Sequence, residues 1–138
     1  MTILLDTNVI MDALQERQPF DADAKEILLR AQNGEFTCCF TANAITDIFY
    51  LYSKVRGLES ARQVMDFLLA TYKVVSVTHE DCISAMSIPI KDFEDALVSA
   101  CAKKTGAAYI ISRDDKFLRE DSPVKVVKPN DFLRILKG

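Results

Sequence analysis

The chain begins with Met1-Thr2-Ile3-Leu4-Leu5-Asp6-Thr7-Asn8-Val9-Ile10, and this stretch decides the fold class. Its apolar run, Thr2–Leu5, predicts a short buried strand. Apolar residues at helical spacing follow, so a helix is predicted over Thr7–Gln15. Asp6 therefore lies where a strand ends and a helix begins. Parallel sheets bind ligands at the carboxyl ends of their strands, which makes this junction a candidate site.

The same alternation of strand and helix continues along the chain. Further strands are predicted at Phe36–Phe40, Lys73–Val77, Ala108–Ile111 and near Val124–Val127. Further helices are predicted at Asp21–Gln32, Thr41–Val55, Leu58–Ala70, Glu80–Met86, Asp92–Lys104 and after Pro129, with a loop at Arg113–Lys116. Strands separated by helices predict an α/β fold, in which a largely parallel sheet carries helices on both faces.

Length and composition indicate one globular domain that spans residues 1–138. Hydrophobic residues make up 49% of the 138 residues and charged residues 27%, an ordinary balance with ample core material. The net charge of −3 argues against a general nucleic-acid coat protein, so any nucleic-acid contact would need a local basic patch. The N-terminus lacks signal-peptide features and no apolar run approaches the ~20 residues of a membrane span, so a soluble, cytoplasmic protein is expected.

The cysteines and the histidine form no recognisable metal-binding pattern. The chain has four cysteines, none in CxxC spacing, and one histidine, His79. Buried, reduced thiols are expected at Cys38, Cys39, Cys82 and Cys101. The sequence therefore argues against a thiolate zinc site.

Aspartates recur at the predicted strand ends and helix starts. Asp6 follows the first strand, and Asp114 follows the fourth. Asp92 and Asp95 open the helix that precedes the fourth strand, and Asp47 lies just off the buried stripe of the helix after the second strand. These sequence-distant carboxylates are predicted to converge at one edge of the sheet.

Such a cluster needs a counter-charge, because neighbouring carboxylates raise one another's pKa. A divalent cation supplies it, and oxygen ligands without thiol or imidazole partners favour Mg²⁺ or Mn²⁺ over zinc. A metal held in this way lowers the pKa of a bound water and stabilises the charge of a phosphoryl transfer. The pattern is therefore typical of a metal-dependent nuclease.

Each acid also has a purely structural interpretation. Asp6 could cap the first helix, and Asp92 with Asp95 resembles a capping arrangement. Asp114 could belong to an ordinary turn, and Asp47 could be a solvated helix residue. Three of the acid sites nevertheless fall where an α/β sheet binds its ligands, which a random scatter rarely produces.

Three motifs, in order, resemble those of the PIN-domain family, which includes the VapC-type toxins of toxin–antitoxin pairs. Leu5-Asp6-Thr7-Asn8-Val9-Ile10 resembles the family's LDTNVI opening. Asp92-Phe93-Glu94-Asp95-Ala96-Leu97 is similar to its DFxDA helix start. Ile110-Ile111-Ser112-Arg113-Asp114 is similar to its ITRD strand end, with Ser112 in place of the usual threonine. The order and spacing agree over nearly the entire chain.

The resemblance implies a three-layer α/β/α sandwich with a mainly parallel sheet of about five strands and an acidic pocket. It also implies RNA cleavage that depends on Mg²⁺ or Mn²⁺, a homodimer and, for a toxin, a small antitoxin as partner. By motif position it assigns metal binding to Asp6, Asp95 and Asp114 with Asp92 as an extra acid, and supporting roles to Asn8 and Ser112.

Asp47 departs from the family pattern. Many members carry glutamate on the helix after the second strand, and aspartate is one methylene shorter. We therefore predict that Asp47 belongs to the catalytic set and acts through a metal-bound water. The departure leaves open an alternative, in which a catalytically weakened PIN domain serves as an RNA- or protein-binding module.

Two other chemistries also use an aspartate at a strand end. A phosphatase of the haloacid-dehalogenase type needs a second acid two residues later, and Asn8 occupies that position here. A receiver-like regulatory domain carries its phosphoacceptor on a middle strand, with an acidic pair on the first, which is not the order found in this chain. Both interpretations fit the sequence less well than a nuclease.

Basic residues lie close to the acidic motifs, at Lys91, Arg113, Lys116 and Arg119. They could hold RNA phosphates at the rim of the site. A solvated charged face is the equally simple alternative.

Overall fold

Five short strands form one sheet in the computed structural model, which describes all residues from Met1 to Gly138. The strands are β1 (Thr2–Leu5), β2 (Thr37–Thr41), β3 (Lys73–Val75), β4 (Tyr109–Ile111) and β5 (Val126–Val127). Their order is β3-β2-β1-β4-β5, and every neighbouring pair is parallel. The opening strand of the sequence is thus the centre of the sheet.

The chain builds the sheet outward from β1 in two directions. It runs from β1 to β2 and β3, and then returns to form β4 and β5 on the other side. The order reverses between β1 and β4, and such a switch point opens a crevice at the carboxyl ends of the strands. Leu5 pairs with Ile111 at those ends, so the residues that follow these two line the crevice.

Helices cover both faces of the sheet. They are α1 (Thr7–Leu14), α2 (Asp21–Gln32), α3 (Ala42–Arg56), α4 (Leu58–Thr71), α5 (His79–Met86), α6 (Phe93–Thr105), α7 (Asp115–Leu118) and α8 (Pro129–Lys137). One core cluster packs α1 to α4 and α8 against the sheet, and a second packs α5 to α7 against the opposite face. Ile3 and Leu5 enter the first cluster and Leu4 the second, because side chains alternate along a strand. The predicted three-layer α/β/α sandwich is confirmed.

Two glycines end helices where the chain must turn. Gly57, at φ 87°, separates α3 from α4, and Gly106, at φ 70°, forms the left-handed cap of α6 shortly before β4. Glycine adopts positive φ at little steric cost, whereas other residues do so rarely. α3 ends at Arg56 and α6 at Thr105, close to the predicted ends at Val55 and Lys104.

The predicted elements differ from the observed ones mainly at their ends. β3 stops at Val75, and β5 covers only Val126–Val127. The loop predicted at Arg113–Lys116 runs into the short helix α7, whose single turn is too brief to show apolar periodicity. None of the helices combines the length and the apolar character required to traverse a bilayer.

Candidate active site

Asp6 lies at the carboxyl end of the central strand and caps α1. Its backbone N–H donates to the carbonyl of Ile111 on β4 (2.9 Å), which fixes Asp6 across the switch point. Its Oδ1 accepts the N–H of Thr7 (2.9 Å). The capping interpretation is therefore correct for Oδ1, whereas Oδ2 takes no part in the cap.

Asn8 and Ser112 hold that second oxygen of Asp6. Ser112 Oγ donates to Asp6 Oδ2 (2.8 Å), and Asn8 Nδ2 donates to the same atom (3.3 Å). Asn8 Nδ2 also donates to Ser112 Oγ (3.3 Å), and Ser112 is fully buried. The structure thus brings both predicted supporting residues onto Asp6, while their part in a reaction stays a prediction.

Asp114 joins the same network from the end of β4. Its backbone N–H donates to Ser112 Oγ (3.1 Å), so one hydroxyl contacts both Asp6 and Asp114. Its Oδ1 accepts the N–H of Lys116 (3.0 Å) and begins α7. The rest of the Asp114 side chain is exposed at the edge of the sheet.

Asp92 and Asp95 lie together at the start of α6. Asp92 Oδ1 accepts the N–H of Asp95 (3.1 Å) and caps the helix, as the structural interpretation of this pair predicts. Asp92 is exposed and Asp95 is half-buried. The cap fixes the first turn of α6, and with it the position from which Asp95 projects.

The acids from these three segments act on one another electrostatically. Burial, together with the charges of Asp92, Asp6, Asp114 and Glu94, raises the pKa of Asp95 to about 7. Burial also raises the pKa of Asp6, against the lowering effect of the hydrogen bonds that it accepts. Charges affect a pKa in this way only when they lie near the group. The carboxylates after β1, after β4 and at the start of α6 therefore lie near enough to affect one another's ionisation.

Glu94 is an acid of this site that the sequence interpretation missed. Glu94 is exposed, yet partial burial of its carboxyl raises its pKa, and Asp47 makes the largest charge contribution, followed by Asp6 and Asp92. Asp47 is half-buried on α3 and lies close to Glu94, but its charge is not among those that shift Asp6 or Asp95. Glu94 occupies the variable position of the DFxDA-like motif, so the motif carried no signal for it.

Arg113, predicted at the rim, is paired with a buried carboxylate inside the protein. Its Nε and Nη2 both donate to Asp12 of α1, with 2.9 Å between Nη2 and Oδ1. Asp12 is only 1% exposed, and Arg17 Nη1 lies 3.8 Å from the same group. The Asp12 hydrogen bonds raise the pKa of Arg113. Lys91 and Lys116 are exposed near the acids, and their contact with phosphates stays a prediction.

The ligand chemistry of the site fits Mg²⁺ or Mn²⁺. Carboxylate, hydroxyl and amide oxygens surround the crevice, and these are the ligands that both ions prefer. Burial first, and then the neighbouring negative charges, raise the pKa of Asp95, and a cation would stabilise its charged form. No three Asp, Glu, His or Cys side chains converge on one point that could hold an ion, so water would complete the coordination, as is usual for Mg²⁺.

The sequence matches a family model described as the PIN domain over residues 2–116. The chain belongs to the PIN-domain family. Membership supports a PIN-type nuclease, and it agrees with the three motifs that line the crevice of this PIN domain. Among curated proteins, none matches the sequence.

Solved structures confirm the fold of this PIN domain at low sequence identity. VapBC2 from Rickettsia felis, bound to a DNA fragment from its promoter, gives a TM-score of 0.72 at 16% identity, covering 93% of this chain and 98% of that chain. A toxin–antitoxin complex from Klebsiella pneumoniae gives 0.70 at 17% identity, covering 92% and 97%. VapC20 from Mycobacterium tuberculosis, a sarcin-ricin loop cleaving toxin, gives 0.67 at 17% identity, covering 83% and 92%.

Proposed function

We propose that this PIN domain is a ribonuclease that hydrolyses RNA phosphodiester bonds with the help of Mg²⁺ or Mn²⁺. The observation that supports the proposal is the electrostatic influence of Asp6 and Asp114 on Asp95 at the switch point, where burial and the neighbouring acids raise the pKa of Asp95 to about 7. A bound cation relieves this repulsion at neutral pH and supplies the charge that phosphoryl transfer needs.

The chain's own residues would orient the acids before substrate arrives. Asp6, Asp95 and Asp114, with Asp92, would hold the ion, which when bound lowers the pKa of its water and polarises the phosphate. Ser112 and Asn8 hold Asp6 Oδ2 in one orientation through their hydrogen bonds. Groups fixed in this way need no reorganisation during the reaction. Such preorganisation is the main source of electrostatic catalysis.

The direct test is cleavage of a mixed RNA pool with Mg²⁺, with Mn²⁺ and with excess EDTA. We expect the metals to support cleavage and EDTA to abolish it. Asp95→Asn should reduce the rate on the order of 100-fold or more, because a charge at the reacting centre is lost. Asp66→Asn is the matched control, since Asp66 is exposed on α4 outside the site. Undiminished cleavage in EDTA would rule out the metal-dependent mechanism.

The second part of the proposal is that the enzyme is the toxin of a toxin–antitoxin pair. Its support is the fold shared with toxin–antitoxin complexes together with the acidic site. Expression in bacteria should then arrest growth, and Asp95→Asn should remove the effect while Asp66→Asn retains it. A small antitoxin protein is the expected partner. Growth arrest of equal strength with Asp95→Asn would separate toxicity from the acidic site.

A homodimer is proposed through the outer surface of α3 and the start of α4. Tyr50, Val55 and Leu58 are 60%, 67% and 66% exposed there, which leaves more apolar surface in water than the core requires. Exposed apolar patches with aromatic residues mark interaction sites. Light scattering at tens of micromolar protein should report a dimer, and Val55→Asp should yield monomers. A monomeric parent under these conditions would contradict the assignment.

A binding module without hydrolysis is the second candidate. The position of Asp47 favours it, because that shorter acid lies near Glu94 and does not shift Asp6 or Asp95. This candidate predicts that the protein binds Mn²⁺ and RNA yet cuts no RNA in the pool. Measuring binding and cleavage on the same sample distinguishes the two functions.

A further inference from the structure

A second cleft opens beside the acidic site at the same edge of the sheet. It has a volume of about 500 Å³ and lies between the loop before α2, the residues after β4 and the start of α8. Arg113 follows β4 and Lys128 follows β5, so the cleft lies over the carboxyl ends of these strands. The backbone N–H of Arg113 donates to Asn8 Oδ1 (3.4 Å), and Asn8 Nδ2 in turn donates to Asp6 Oδ2 (3.3 Å). This chain of hydrogen bonds links the cleft to Asp6.

An aromatic ring and a guanidinium group form one wall of the cleft. The Arg113 Cζ lies 4.2 Å from the centre of the Phe20 ring, and Phe20 is 45% exposed. Asp12 accepts from Nε and Nη2 of Arg113, which holds the guanidinium plane still and leaves Nη1 with its two N–H groups. Flat, rigid and partly exposed surfaces of this kind are the ones on which unpaired nucleobases stack.

The charge of the lining favours a base over a phosphate. Asp23 and Asp115 line the cleft together with Arg113 and Lys128, so the charges cancel. Lys128 Nζ lies 4.0 Å from Asp115, and Arg113 is paired with the buried Asp12, so both cations of the lining already have an acidic partner. A phosphate site would carry excess positive charge, because phosphate binding is mainly electrostatic. Asn130, also in the lining, offers an amide donor and acceptor that can pair with the edge of a base.

We propose that the cleft formed by Phe20, Arg113, Lys128 and Asn130 is a nucleobase subsite, which takes one unpaired base of the RNA next to the bond that is cut. The proposal rests on the ribonuclease function proposed above and adds a determinant of sequence preference. The base stacks on the exposed outer face of the Phe20–Arg113 pair, and Asn130 contacts its edge. The volume lies within the ~300–1,000 Å³ typical of small-molecule sites.

Binding is tested first, with fluorescently labelled RNA oligonucleotides in an Asp95→Asn background that prevents cleavage. Phe20→Ala should raise the dissociation constant roughly 5- to 100-fold, the usual effect of losing one base–aromatic stack. Phe67→Ala is the matched control, because Phe67 is 46% exposed and packs on Tyr72, next to the opposite end of the sheet. Its dissociation constant should equal that of the parent.

Sequence preference is tested next, by mapping the cut sites in a mixed RNA pool. Phe20→Ala and Asn130→Ala should flatten the base preference at one position beside the cut, relative to the parent. Phe20→Trp retains an aromatic ring and should preserve that preference. Its tryptophan, the only one in the chain, should be quenched by RNA, and less so when that position is abasic.

The outcomes separate the subsite from the ribonuclease function. An active parent with unchanged affinity and unchanged cut sites in Phe20→Ala overturns the subsite alone. A parent that neither binds nor cuts RNA overturns both proposals. If Phe20→Ala loses a protein partner while its cut sites stay those of the parent, the cleft is a protein contact and the subsite is overturned.

Discussion

The Ser112 hydroxyl donates a hydrogen bond of 2.8 Å to the Asp6 carboxylate, across 106 positions of sequence. This bond joins the end of β4 to the end of β1 at the point where the strand order reverses. Ser112 also accepts the N–H of Asp114 (3.1 Å), so one buried hydroxyl positions two acids from different strands. The geometry of the site therefore depends on a neutral side chain as well as on the acids.

Ser112→Ala should lower both stability and cleavage. Asp6 Oδ2 would keep only the longer bond from Asn8 and would lose the one that lowers its pKa, and a hydrogen bond to a charged group contributes about 1.5–3 kcal/mol. Ser112→Thr is the matched control, because it keeps the hydroxyl and places threonine where the family motif has it. Denaturant unfolding and Mn²⁺-dependent cleavage measure the two effects. Equal losses in both variants would assign the role of Ser112 to packing instead of hydrogen bonding.

Asp95→Asn should stabilise the metal-free protein at pH 8 and do so progressively less as the pH falls toward 4. The pKa of Asp95 is about 7 in the fold, against the 3.8 usual for aspartate. Between these values the native state binds more protons than the unfolded state, so the stability of the parent falls as pH rises. Because Asp95 is only half-buried, solvent screening reduces the effect to about 1–2 kcal/mol. Urea unfolding in EDTA across this pH range measures it, and parallel pH profiles for parent and variant would contradict the prediction.

Mn²⁺ should raise the melting temperature of the parent more than that of Asp95→Asn. An ion that binds only the native state stabilises it by about 2.7 kcal/mol at one hundred times its dissociation constant. Asp66→Asn should respond as the parent does, because Asp66 lies outside the site on α4. Thermal melts with and without Mn²⁺ compare the three proteins. An equal shift in all of them would place the bound ion elsewhere.

Arg113→Ala should destabilise the fold far more than Lys116→Ala. It would leave Asp12, which is 1% exposed, with only Arg17 at 3.8 Å. Breaking a buried ion pair costs about 3–5 kcal/mol, and because Arg113 is 30% exposed and Arg17 remains, we expect about 2 kcal/mol. Lys116→Ala should stay within about 0.5 kcal/mol. Denaturant unfolding of both variants decides whether Arg113 is mainly a structural residue or a free surface charge.

The parts of this structure that local patterns encode could be predicted from the sequence. The bounds of α2 agree with Asp21–Gln32, because Asn33-Gly34 interrupts the apolar periodicity there. The acids Asp6 and Asp114 were expected at strand ends, because the apolar runs before them are short and continuous. Parallel topology then required both to lie at the same edge of the sheet.

The long-range pairings could not be predicted in this way. In the sequence, Asp12 resembles an ordinary solvated acid on a helix. Only its ion pair with Arg113, 101 positions away in the sequence, explains how it can be buried. Glu94 could not be recognised as a site residue because acids are common in the first turn of any helix, where they interact favourably with the helix dipole. Its proximity to Asp47 depends on how α6 packs relative to α3, which no local pattern records.

Asp47 and Glu94 lie close enough for the charge of Asp47 to raise the pKa of Glu94. Asp6 and Asp92 also raise it, so Glu94 lies near acids of the proposed metal site as well as near Asp47. We predict that Glu94, one methylene longer than an aspartate, supplies the reach that Asp47 lacks. Glu94→Gln should then reduce Mn²⁺-dependent cleavage about tenfold or more, while Asp47→Ala has a smaller effect. Glu80→Gln is the matched control, because Glu80 is exposed on α5.

Asp47→Glu, which places a longer acid on α3, distinguishes this prediction from the one in which Asp47 itself belongs to the catalytic set. If Glu94 provides the reach, Asp47→Glu should restore part of the activity that Glu94→Gln loses, because it extends a carboxylate from α3 toward the same region. If Asp47 already acts through a metal-bound water, Asp47→Ala should be the more damaging single change and Asp47→Glu should lower activity by crowding. Asp47→Ala should change the free energy of unfolding by no more than about 0.5 kcal/mol in either case, so a loss of cleavage would not reflect unfolding. Cleavage rates of the single and double variants, measured on one RNA pool, decide between the Glu94 and Asp47 interpretations. Rates that equal the parent's in every variant would exclude both residues from the site.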